Sequence, residues 1–409
     1  MTAAMTHPPA PRDPVFPATP APGGAGAGAP ARAGGFGTRG MRPSEKATPG
    51  GAKQHNRTLV LQTLHGAGPL SRADVARATG LTKVTVSGLV AELVEEGLIR
   101  ELGQRESPRP GKPAILVDLA RDAFAVVALD LSDHLTMRGA VVTIDGAVLS
   151  RAEVERAGAT GAAASDLALS LAAELTAAAT VPLLGVGVGT PGVVDDAGVV
   201  RTAPNLGWEG LPLRELLAEH TGLPTVVAND ANVAALSEYS FGGTSDSFIL
   251  ITIGHGVGSG LVIDGHPIVG SRFASGEIGQ VMVGTDLGLD APYSRDQVLE
   301  HWLSVPSLTA ATGATHTPAD RARVLREAGQ RLGIALAPVV GALNLAEIVL
   351  AGPLDLIDGT LAEATLDILR RRTMPDTHGD LVLRTSTQGA DLILRGATAT
   401  VLKEQLGIS

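Results

Sequence analysis

A chain of 409 residues, 44% hydrophobic and 18% charged, has the length for two or three domains and the apolar content for a sizeable core. Aromatics are only 2%, so that core is aliphatic, and the absence of cysteine excludes disulfides, zinc–thiolate sites and cysteine nucleophiles. The net charge of -10 is unevenly spread: residues 1–112 hold 14 Lys+Arg against 8 Asp+Glu, and the remainder 18 against 34, so a basic front that suits a polyanion precedes an acidic body.

Residues 1–50 are dominated by Pro, Gly and Ala, as in "PPAPRDPVFPATPAPGGAGAGAPARAGG". Such a composition buries too little apolar surface to offset its ordering entropy and predicts a disordered tail. Only three Lys/Arg precede residue 42, so the tail reads as inert rather than DNA-binding. No apolar run reaches the roughly 18 residues of a membrane span and no signal-peptide core follows the start, so a cytoplasmic protein without membrane partners is expected.

Residues 51–119 read as a winged helix-turn-helix. Leu59, Leu61 and Leu64 fit a first helix, ended by Gly66 to Pro69. Ser71 caps a second helix with Val75 and Ala76 inward, Thr79-Gly80-Leu81 is a tight turn, and Thr82 caps a third helix carrying Val86, Leu89, Val90 and Leu93. "LIREL" and "AILVDL" are strands joined by the basic loop "GQRESPRPGKP", which makes a wing. Thr82, Lys83, Thr85 and Ser87 offer short donors near the start of the third helix, where a recognition helix meets base edges. Arg105, Arg109 and Lys112 at the wing tip suit phosphates or a minor groove. The alternative is a three-helix bundle that binds protein, and the basic wing argues against it.

From residue 120 to 409 the pattern is α/β. "FAVVALDLS", "LTMRGAVVTID" and "GAVLSRAEVE" read as a strand meander, followed by a helix, the strand "LLGVGVGTPGVV", a helix and the strand "PTVVAND". The cycle restarts at "SFILITIGHGVGSGLVIDG", continues through a long helix at "ADRARVLREAGQRLGIALAPVVGALN", and adds the strands "AEIVLAG" and "DLVLRT". A unit occurring twice predicts two similar lobes with a cleft between them. In "PTVVANDANVAAL" a buried strand stops at Asn229-Asp230-Ala231-Asn232. A helix cap is the plain explanation. Two Asn flanking an Asp are more than a cap requires, and strand ends in α/β sheets face ligand crevices.

The motifs "GVGTPGVVDDAGVVRTAPNLGW", "VVANDANVAAL", "ITIGHGVGSGLVIDG" and "ASGEIGQ", behind a winged helix, resemble the ROK family of sugar-responsive repressors and sugar kinases over residues 53 to about 400. The resemblance implies an actin-like, ribonuclease H-like two-lobe ATPase fold. It also implies that Asn205, Asn229, Asp230, Glu277 and Glu300 contact a sugar, with Asp230 at the position of the kinases' general base. A carboxylate accepts two hydrogen bonds from a sugar and can take a hydroxyl proton.

Two departures from the family pattern are visible. The kinases' first phosphate turn is glycine-rich, and here it reads Asp130-Leu131-Ser132-Asp133-His134, with side chains where backbone N–H groups approach phosphate. The second turn, Gly254-His255-Gly256-Val257-Gly258, is intact. The family's structural zinc uses one His and three Cys; Gln280 stands at the His position and the chain has no Cys. The expectation is therefore a DNA-binding repressor of carbohydrate genes with a degenerate kinase body, no catalytic residue, no cofactor and no metal. Its partners would be a double-stranded operator, a small carbohydrate effector and a second copy or three more of itself. The alternatives are an ATP-dependent sugar kinase with an added DNA-binding domain, or a regulator that has lost sugar control.

Overall fold

A computed structural model describes residues 49–104, 114–284 and 290–408. The expected tail and the wing-tip residues Arg105, Arg109 and Lys112 lie outside the described residues. Three helices come first: α1 (Pro49–Ala67), α2 (Arg72–Thr79) and α3 (Lys83–Glu95). The hydroxyl of Ser71 accepts the Asp74 amide at 3.2 Å and that of Thr82 accepts the Thr85 amide at 3.1 Å, so both predicted caps form. Gly80, at φ 71°, makes the left-handed turn between α2 and α3. Leu61, Leu64, Val75, Val86, Val90 and Leu93 are fully buried and build the core of this part. Strands β1 (Leu70–Ser71), β2 (Ile99–Gln104) and β3 (Ile115–Leu119) form a small antiparallel sheet, with Ile99 opposite Leu119.

The first lobe begins with the expected meander, β4 (Ala125–Asp130), β5 (Thr136–Thr143) and β6 (Val148–Glu155). After α4 (Ala162–Ala178) comes β7 (Leu183–Thr190), parallel to β4. A small sheet of β8 (Val193–Val194), β9 (Val200–Ala203) and β10 (Trp208–Leu211) and helix α5 (Leu213–Thr221) lead to β11 (Thr225–Asn229), parallel to β7, and to α6 (Asp230–Phe241). The five-stranded order is β11-β7-β4-β5-β6.

The second lobe repeats the plan. A meander of β12 (Phe248–Ile253), β13 (Val257–Ile263) and β14 (His266–Ile268) precedes helices α7 (Leu299–Leu303), α8 (Val305–Gly313) and α9 (Pro318–Leu343). Next come β15 (Glu347–Ala351), α10 (Leu354–Ile357), α11 (Thr360–Arg372), α12 (Pro375–His378), β16 (Val382–Thr385) and α13 (Leu392–Leu406). Its order is β14-β13-β12-β15-β16, so both sheets are a three-strand meander extended by two parallel strands.

The lobes exchange helices. Helix α6 leaves the first sheet and packs on β12 and β13, whereas α13 leaves the second sheet and packs on β4, β7 and β11. The fully buried Glu238 of α6 pairs with Arg384 of β16 at 2.9 Å, which ties α6 to the second lobe. The two helices also cross each other at Gly396, where a Cβ would lie 1.9 Å from the Val233 carbonyl oxygen; only glycine permits that approach. Beyond the crossing, Val401, Leu402, Leu406 and Ile408 enter the same apolar cluster as Val60, Leu61 and Leu64 of α1. Gln62 donates to the Gly407 carbonyl at 2.7 Å and Arg121 to the Leu64 carbonyl at 3.1 Å. The winged helix and the body thus share a core, where each fully buried Leu contributes about 1.5–3 kcal/mol.

Candidate functional site

A cleft of about 1670 Å³ opens between the lobes, and Asn205, Asn229, Asp230, Glu277 and Glu300 all line it. The first three come from the first lobe and the two glutamates from the second. Asn229 ends β11 and caps α6. Its Oδ1 accepts the amides of Ala231 at 3.0 Å and Asn232 at 3.2 Å, while its Nδ2 donates to the Gly192 carbonyl at 2.9 Å. One amide hydrogen is left for a ligand, so Asn229 serves the cap and the Gly192 loop first.

Asp230 opens α6 and keeps part of its surface toward the cleft. Its carboxyl is pushed up to about 7, first by burial and then by repulsion from Asp130 and Glu277; the bond from the Ala231 amide at 2.8 Å opposes this. Glu277 is likewise raised, by burial and by Glu300. Among the described residues neither carboxyl has a cationic partner. Glu300 accepts the Val257 amide at 2.9 Å, which fixes the turn between β12 and β13, and lies 3.4 Å from Gln280 Nε2. Asn205 is exposed on a short turn, and its carbonyl accepts from the buried Arg156 at 2.8 Å.

At the other end of the cleft the sequence left more unseen. Asp130 is fully buried, pairs with Arg138 at 2.6 Å, and accepts from Ser132 through its amide at 3.0 Å and its hydroxyl at 2.6 Å. His134 of the first lobe stacks on His255 of the second, centroids 3.5 Å apart and planes 23° apart. The first turn, where the resemblance expects a phosphate cradle, is thus filled by its own side chains and pressed against the second turn. Arg138 was legible in principle, since it stands opposite Asp130 in the β4–β5 register. The histidine stack joins residues 121 positions apart and leaves no local signal.

On the winged helix, Thr82, Lys83 and Ser87 are exposed and Thr85 is half-buried. Thr82 and Thr85 share a hydroxyl contact at 2.9 Å inside the cap, so their donors are partly committed. Val84, overlooked in the sequence, is 84% exposed beside Lys83. Its position, two residues before the inward Val86, was the available clue. An apolar side chain there can meet a thymine methyl. Among the described residues Lys83 makes no ion pair, whereas Arg72, Arg77 and Arg100 are paired with Glu101, Asp74 and Asp122.

The family profile described as ROK family matches residues 127–404, and that of the MarR family matches residues 54–112. The xylose repressor of Caldicellulosiruptor bescii is 25% identical over 398 residues, spanning 87% of this chain and 97% of that one. The xylose repressor of Bacillus subtilis strain 168 is 27% identical over 237 residues, 56% of this chain and 61% of that protein, so the match spans less than two thirds of it. A crystal structure of a ROK family transcriptional regulator, homologous to the E. coli MLC protein, shares the fold with a TM-score of 0.75 at 24% identity, covering 87% of this chain and 98% of the other. No described helix is long and apolar enough to cross a membrane.

Proposed function

The chain belongs to the ROK family, and on that premise we propose that it is a DNA-binding transcriptional repressor of carbohydrate genes that senses a sugar in its cleft. The observation that carries this reading is the connection between the two ends of the molecule. Asp230 starts α6, α6 crosses α13 at Gly396, and α13 ends inside the core of the winged helix. A sugar that favours one lobe closure shifts α6 against α13, and the shift reaches the DNA-binding helices. The relatives named xylose repressor support the same assignment.

We assign residues 51–119 to DNA binding and 120–409 to effector binding and self-association, with 1–50 outside both and the whole protein in the cytoplasm. Asp230, Asn229, Asn205, Glu277 and Glu300 are the proposed sugar contacts. Thr82, Lys83, Thr85 and Ser87, now with Val84, are the proposed groove contacts, and Arg105, Arg109 and Lys112 the phosphate contacts. Two or four copies would match operator half-sites about 34 Å apart.

The cleft is proposed to have lost phosphate transfer. Arg138 neutralises Asp130, and Ser132 fills the turn whose amides would face phosphate. One observation favours the second reading, a sugar kinase with an added DNA-binding domain: a carboxyl near 7 at Asp230 suits a general base. A coupled ATP assay over a panel of mono- and disaccharides separates the two. The repressor reading expects no turnover together with stabilisation by one sugar in a thermal-shift panel. Turnover of about 1–100 s⁻¹, the usual kinase range, overturns it.

A further inference from the structure

The zinc that the family resemblance implies does not fit this chain. Its donors would be one His and three Cys, but the sequence has no Cys and Gln280 stands at the His position. Among the described residues no group of three or more His, Cys, Asp or Glu is placed to hold a metal ion. The segment after Gln280 must therefore be fastened by other means, and it carries weight, because it leads from Gln280 into α7 and Glu300.

The neck of that segment is closed by protein groups. Val283 donates its amide to Gln297 at 2.8 Å, Leu299 donates to Val281 at 2.9 Å, and Met282 pairs antiparallel with Val298. Arg331 reaches both sides of this neck from α9. One guanidinium nitrogen donates to the Val283 carbonyl at 3.0 Å, another to the Glu327 carboxylate at 2.8 Å, and the guanidinium carbon lies 3.6 Å over the Trp302 ring. The Arg331 side chain is 8% exposed, so its contacts with the Val283 carbonyl and the Trp302 ring act where water screens them little, whereas Glu327 is 45% exposed. Trp302 lies two residues after Glu300 in α7. On the cleft side, the Tyr293 hydroxyl donates to Gln280 at 2.8 Å, Gln280 faces Glu300, and Glu300 holds the Val257 amide.

We propose that Arg331, bracketing Val283 and Trp302, takes over the positioning role of the family's zinc and holds Glu300 and Gln280 in the cleft wall. Arg331 touches no ligand; it acts through α7. Its effect on sugar binding rests on the reading of Glu300 as a sugar contact, whereas the bracket itself needs no ligand.

Residue-resolved amide exchange on the full chain tests the bracket. In the unmodified protein the Val283, Leu299 and Val257 amides exchange equally slowly with and without EDTA. In Arg331→Met they exchange at least about tenfold faster, the loss of one well-made charged hydrogen bond, while the amides of β4 keep their rates. Arg331→Lys recovers part of the protection because an ammonium keeps the contact with the ring. Trp302→Leu copies Arg331→Met and Trp302→Phe does not. Unchanged exchange in Arg331→Met, equal acceleration of β4, or acceleration of the neck by EDTA overturns the proposal. Calorimetry with D-xylose and D-glucose reads the other claim. If neither these nor any other sugar of the mono- and disaccharide panel binds the unmodified protein while the neck still loosens in Arg331→Met, the sugar reading fails and the bracket stands.

Discussion

The two ends of the cleft treat their acidic groups in opposite ways. Asp130 is sealed from water, yet it has Arg138 and two donors from Ser132. Among the described residues Asp230 and Glu277 have no cation beside them; the Asp230 carboxyl is pushed up to about 7 and that of Glu277 is raised from its ordinary value. A buried charge that is paired, such as Asp130, is part of the framework, and a part-buried carboxyl left unpaired, such as Asp230, costs free energy until something binds it. On the proposed reading the Asp230 end takes the sugar hydroxyls, whereas the Asp130 end is already satisfied from within.

The largest expected effect lies at the satisfied end. Arg138→Ala strands the Asp130 carboxylate and should cost about 2–4 kcal/mol, the low side of the range for a broken buried pair because Arg138 is itself 33% exposed. Asp130→Asn in the same background should restore most of the loss. Urea unfolding of the single and double variants checks this, and additive losses would mean that the two residues do not act as a pair.

At the other end, Asp230→Ala should weaken the sugar response by roughly ten- to a hundredfold, since the sugar hydroxyls lose a part-buried acceptor worth about 1–3 kcal/mol. Operator affinity without sugar should stay within about twofold of the parent. A response at parental sugar concentrations would remove Asp230 from the site.

The same carboxyl gives a pH signature with a definite sign. Asp230 titrates near 3.8 when unfolded and at about 7 when folded, so the folded state binds the extra proton in between. Its contribution therefore lowers stability as pH rises through that window and levels off above it. Glu277 acts in the same direction. Asp230→Asn should flatten the slope and gain most over the parent near pH 8. A variant whose loss or gain is independent of pH would show that Asp230 titrates normally.

Comparable or smaller effects are expected on the DNA side. Lys83→Ala should weaken operator binding by about 1–3 kcal/mol and relax specificity at the base pair it faces, whereas Arg109→Ala should weaken binding to any duplex and reduce the salt slope by about one. Val84→Ala should cost about 1 kcal/mol or less, and only on sites with a thymine opposite it. Fluorescence anisotropy on selected duplexes at two salt concentrations separates the three.

Much of this was legible in the sequence, and the reasons are local. Ser71 and Thr82 announced the starts of α2 and α3 because caps act over three residues. The β4–β6 meander and the β12–β13 hairpin followed from β-branched runs broken by Asp, Gly and Ser. Asn229 and Asp230 stood out in the sequence, and Asn229 is mostly a cap and a clasp for Gly192. What stayed hidden is what depends on tertiary packing. The exchange of α6 and α13 between lobes, the shared core at Leu402 and Leu406, and the Arg331 contact with Trp302 join positions far apart in the chain. Short strands such as β1 and β8 carry too few residues to show a period.

A sugar in this cleft is proposed to change operator binding. The most direct test is the affinity of the full chain for a duplex selected from random sequences, measured by anisotropy with and without each sugar of a panel, for the parent and for Asp230→Ala. One sugar should change the parent's Kd at least about tenfold, near 1.4 kcal/mol of coupling, and at the concentration that half-saturates the parent it should leave Asp230→Ala nearly unmoved. An unchanged Kd with every sugar, or an equal response in Asp230→Ala, would contradict the proposal.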